Sequence, residues 1–62
     1  MLYDTIQNIC KQKKISISKI EKECNIGNGT IGGWKNSSPR IANLQKVADY
    51  LNVPIEKLLE DA

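Results

Sequence analysis

The chain has 62 residues, 40% of them hydrophobic, enough for one small folded domain near the lower size limit for a single core. So small an interior leaves little room for a buried active site with a supporting shell, and the absence of histidine removes the commonest general base and metal ligand. No catalytic residue, metal, cofactor or small-molecule substrate is therefore expected. The net charge of +2 is divided unevenly. Lys11, Lys13, Lys14, Lys19, Lys22, Lys35, Arg40 and Lys46 face only Glu21 and Glu23 in the middle of the chain, while Asp49, Glu56, Glu60 and Asp61 outweigh Lys57 near its end. A basic middle is what one phosphate-facing surface requires, although an unevenly charged solvated surface would look the same.

The spacing of Leu2, Ile6, Ile9 and Cys10 is that of an amphipathic helix, predicted over about 3–13 and ending near Lys14. Ser16 is a plausible N-cap for a second helix over 17–24, with Ile17, Ile20 and Cys24 on its inner side. Asn25 suits the left-handed residue that ends a helix, and Ile26 turns inward after it. A third helix is expected over 28–35, with Ile31 and Trp34 facing the core. Asn36-Ser37-Ser38-Pro39 reads as a loop. Ile41, Leu44, Val47, Ala48 and Leu51 mark a fourth helix over 41–51. Pro54 fits the first turn of a fifth over 54–60, whose buried side is Ile55, Leu58 and Leu59. Cys10 and Cys24 are too few for a disulfide scaffold and too far apart for a CxxC site; reduced, buried thiols are expected. No apolar run reaches the roughly 18 residues of a membrane span and no signal-peptide pattern opens the chain, so a cytoplasmic protein without membrane contact is expected. The fold class is all-α, one five-helix domain over residues 1–62.

The informative segment is SISKIEKECNIGNGTIGGWKN, residues 16–36. Apolar anchors at Ile17, Ile20, Ile26, Ile31 and Trp34 on either side of a turn lock a short helix steeply against its predecessor. A helix held out in this way fits the DNA major groove. This segment, with CKQKKISISKIEKE, W-K-N-S-S-P and LQKVADYLNVPIEKLL around it, resembles the Cro/C1-type (XRE) helix-turn-helix regulators of phages and Gram-positive bacteria over nearly the whole chain. The resemblance implies a compact lambda-repressor-like fold, the third helix in the major groove, and a role in transcription regulation, with repression of an operator in double-stranded DNA as the expected outcome.

Carried over by position, Asn28, Gly29 and Thr30 stand at the front of the recognition helix. Asparagine can pair bidentately with adenine or simply occupy a first turn; threonine can reach a phosphate or bond within its own helix. Ser16, with Ile17 beside it, lies where the family clamps a phosphate at the start of the second helix, and capping alone also explains Ser16. Lys35, Asn36, Ser37 and Arg40 match the family's backbone-contacting loop, or else a solvated one. Trp34 shares the Ile31 face and reads as core. Dimerisation through the fifth-helix region, with Tyr50, Val53, Ile55 and Leu59, follows from the same resemblance.

Three features depart from the family pattern. Ile17 stands where many relatives have glutamine, Glu21 replaces a small residue at the helix crossing, and Gly32-Gly33 replace a serine and a basic residue. Counted with Gly29 as helical, these glycines would cost about 2–3 kcal/mol of helix stability. They also leave the middle of the helix bare, so that the backbone approaches DNA closely, or the surface serves a protein partner instead, in an antirepressor or antitoxin-like module.

Overall fold

In the computed structural model, which describes residues 2–60, five helices follow one another: α1 (Leu2–Lys13), α2 (Ile17–Glu23), α3 (Thr30–Gly33), α4 (Ile41–Leu51) and α5 (Ile55–Leu59). No strand occurs among the described residues. Asp61, counted above in the acidic end, lies outside them.

The same device ends three of these helices. Lys14, Asn25 and Asn52 adopt left-handed backbone, with φ of 59°, 56° and 59°. At each, the next residue's N–H reaches back to a carbonyl one turn earlier: Ile15 to Cys10, Ile26 to Glu21, and Val53 to Ala48, all at 3.0 Å. These are Schellman endings, which satisfy orphan carbonyls and aim the following apolar residue at the preceding helix. Ile26 is buried and Ile15 and Val53 pack against the core. Pro54 sits one residue earlier than expected, in extended conformation as the N-cap of α5.

Ile6, Ile20, Ile31, Leu44, Val47, Leu51 and Leu58 are fully enclosed, so every helix contributes at least one side chain to a common core. Each such aliphatic stabilises by about 1.5–3 kcal/mol against exposure. α5 lies against both α1 and α4, while α3 rests on α2. Two expected core positions differ. Ile41 is 63% exposed and Leu59 42% exposed. Ile41 opens α4 one turn before Leu44, beyond the edge of the core, and α5 is so short that Leu58 alone takes its fully inward position.

The largest difference concerns α3. It begins at Thr30, two residues later than expected, and only four residues are α-helical. Beyond Gly33 the coil tightens: Trp34, Lys35 and Asn36 donate to Ile31, Gly32 and Gly33, each three residues back. Two glycines in a four-residue helix explain this, since glycine adds conformational freedom and no side-chain contact to hold the wider α spiral. The rod still runs from Thr30 to about Asn36, α-helical in front and 3₁₀-like behind.

Candidate nucleic-acid interface

Ser16 accepts a hydrogen bond at 3.1 Å from the Lys19 N–H and so caps α2 as expected. Its own hydroxyl proton stays available to a second acceptor. Ile17 is half-buried against the core, so part of its side chain is turned away from the α2 surface. Ser18, Lys19, Lys22 and Glu23 lie exposed along α2 and, with Ser16, line a shallow depression. A second depression joins α2 to the turn, lined by Ser18, Glu21, Lys22, Ile26 and Asn28.

The turn is organised by Glu21, which is buried at 4% exposure. One carboxylate oxygen accepts from the Gly29 N–H at 3.1 Å and the other from the Ile31 N–H at 2.9 Å. Between them the Thr30 N–H donates to the Gly27 carbonyl at 3.1 Å. A short helix whose N-cap residue has no side chain thus receives its cap from the neighbouring helix. A negative group at that end is also favoured by the helix dipole. Glu21 is therefore more than a departure at the helix crossing: its carboxylate builds the turn. The signal for this lies in the sequence, because Ile17, Ile20, Glu21 and Cys24 share one helical stripe. A carboxylate on an inward-facing stripe must find donors.

Gly29 has φ of 89°, left-handed backbone that favours glycine. Asn28 and Gly29 are both exposed and precede α3 in the turn instead of forming its first residues. The glycine cost inside the helix accordingly falls on Gly32 and Gly33 alone. A Cβ built on either would meet nothing within 4 Å, so the outer side of α3 is uncovered. Thr30 is half-exposed, with its hydroxyl oxygen 3.2 Å from where a Gly27 Cβ would stand. Asn28, Gly29 and Thr30 come together at one tip.

Past α3, the Ser37 hydroxyl donates to the Gly33 carbonyl at 3.0 Å, tying the loop to the rod. The Lys35 ammonium stands 4.4 Å from the centre of the Tyr3 ring, a cation–π contact that favours this placement of the exposed side chain. Tyr3 was not among the site residues expected from the sequence. A single aromatic 32 positions upstream of a lysine carries no sequence signal for such a contact. Asn36 and Arg40 are exposed. Trp34 is 7% exposed and belongs to the core, as its place beside Ile31 predicts. All eight cationic side chains of the basic middle are solvent-facing, whereas one of its two carboxylates, Glu21, is buried in the turn.

Two helices crossing at a tight turn, with a bare second helix amid exposed cations, define a helix-turn-helix module. The family model for the helix-turn-helix matches residues 6–58, and the chain belongs to this family, of the Cro/C1 (XRE) type, whose members are DNA-binding regulators. Comparison with curated proteins and with solved structures found no match. No helix among the described residues is long and apolar enough to cross a membrane.

Proposed function

We propose that the chain is a sequence-specific double-stranded DNA-binding repressor that lays the tip and outer side of α3 in the major groove. The observation that carries this reading is the uncovered outer side of α3, where Gly32 and Gly33 border open space and Lys22, Lys35 and Arg40 stand exposed on the flanking segments. In this reading Asn28 addresses a base edge, with adenine as its bidentate partner. Thr30 and the hydroxyl of Ser16 reach phosphate oxygens, as do Lys35, Asn36 and Arg40 on the far side, where Ser37, bonded to Gly33, holds the loop in place for them. Gly29, Gly32 and Gly33 let backbone and DNA approach closely, and the exposed part of Ile17 gives an apolar contact. One such module reads only a few base pairs, so two copies would act on a palindromic operator. The 42% exposure of Leu59 supports pairing through the α5 region, together with Tyr50, Val53 and Ile55.

A salt series on random duplex DNA, followed by selection from a random duplex pool, tests the reading. Counterion release makes affinity fall steeply with salt, by a log–log slope of about 0.9 per phosphate neutralised, and selection should return a two-fold symmetric site. Salt-independent behaviour without enrichment would instead favour a protein-interaction module that uses the bare α3 as a flat contact.

A further inference from the structure

We infer, resting on the DNA-reading role proposed above, that Glu21 is a positioning residue for sequence discrimination: it sets which base the tip reads without touching DNA itself. The amides of Gly29, Thr30 and Ile31, from the N-cap into the start of α3, are all engaged within the chain, those of Gly29 and Ile31 by Glu21 and that of Thr30 by Gly27. They are consequently not free to seat a phosphate, and the tip meets DNA through its side chains, Asn28 and Thr30, on either side of Gly29. The position of both depends on where the carboxylate holds the Gly29 and Ile31 nitrogens. The Thr30 bond to Gly27 and the enclosed Ile31 side chain anchor the segment beside it, but neither engages the Gly29 or Ile31 N–H. The N-cap glycine makes no side-chain bond, the helix behind it is four residues long with two glycines, and an isolated segment of that length and composition has no stability of its own. Because Glu21 is 4% exposed and both its oxygens are occupied, it acts through the turn.

The charge of Glu21 and its geometry make opposite predictions, which allows a clean test. Removing a negative charge beneath a DNA-facing surface strengthens binding to any duplex, whereas loosening the tip weakens only the preference for the right one. Glu21→Gln keeps one acceptor oxygen and turns an amide group toward the other N–H. Glu21→Asp keeps the charge but is one methylene too short to bridge the two amides. Both are compared with the unmodified chain well below their melting temperatures; if either folds poorly, all three are compared carrying Asn52→Gly, since glycine takes the left-handed backbone at the far end of α4 more easily still than asparagine. The probes are the duplex enriched from the random pool and a random duplex. Amide hydrogen exchange is read at Gly29 and Ile31.

Both variants are expected to lose about tenfold in discrimination between the two duplexes, the share carried by roughly one base contact. The Gln variant is expected to bind random duplex as well as the unmodified chain or better, and both amides exchange faster in both variants. Folded variants that keep full discrimination overturn the inference, as does a loss of affinity shared equally by both duplexes, which marks a general loosening of the fold. If the unmodified chain itself shows no salt-dependent duplex binding, the DNA-reading role fails first, and that result is read from the unmodified chain alone.

Discussion

Lys14 and Asn25 show how differently two residues bear the same backbone. Asparagine tolerates left-handed φ because its short polar side chain bonds locally, whereas lysine gains nothing to offset the clash of its Cβ with the carbonyl. Asn25 was therefore legible as a left-handed helix terminator, whereas at Lys14 the end of the helix was legible but its left-handed backbone was not, although both close a helix with the same pair of hydrogen bonds. Relief of this strain makes Lys14→Gly stabilising by about 0.5–1 kcal/mol, net of the extra freedom glycine gives the unfolded chain. Thermal denaturation followed by circular dichroism checks it; an unchanged or lower midpoint would mean that the Lys14 side chain contributes packing that offsets its strain. Glu21 was visible as an oddity but not in its role, since composition reveals that a buried carboxylate needs donors without revealing which amides supply them.

The elements with strong periodicity were legible to within one residue at each end. α1 and α4 each carry an apolar stripe over about three turns, and their bounds follow from it. α3 was legible in its inner face, where Ile31 and Trp34 are buried, but not in its length, because glycines remove the preference that would settle where an α-helix starts and stops. Gly33→Lys tests both stability and contact. Its Cβ meets nothing, and the hydrogen bonds at residue 33 are made by its backbone and by Ser37. The substitution is expected to stabilise by up to about 1 kcal/mol through helix propensity and to raise affinity for duplex DNA, steepening the log–log salt slope by about 1. Unaltered affinity and slope in a stabilised variant would place the outer side of α3 away from phosphates. α5 was legible as a helix yet misjudged in its burial, because five residues expose a second apolar position that the period alone assigns inward.

At the scale of the molecule, the five-helix order was legible, while the edge of the core was not: Ile41 and Leu59 obey the periodicity but fall where no neighbouring helix reaches them. Stability of the whole also depends on pH through two thiols. Burial raises the Cys10 pKa above its ordinary value of 9.0. Cys24 is raised chiefly by burial and further by Glu23, against the opposing effect of Lys46, and its Sγ lies 3.6 Å from the Lys46 carbonyl of α4. Since the folded chain holds these protons more tightly than the unfolded one, their contribution is intact below the unfolded thiol pKa and is lost as pH rises through the folded values. Melting temperatures should fall from about pH 9 upward, and Cys10→Ala should flatten that decline relative to its own value at neutral pH. An equally steep decline in the variant would remove Cys10 as a source of the effect.

The three left-handed helix endings have a kinetic consequence. Each of these three corners is fixed by hydrogen bonds spanning a handful of residues, so these reversals of direction need no distant segment to guide them. Assembly then reduces to docking preformed bends, a search dominated by contacts close in the chain, which is the condition under which small helical proteins fold on the microsecond-to-millisecond scale.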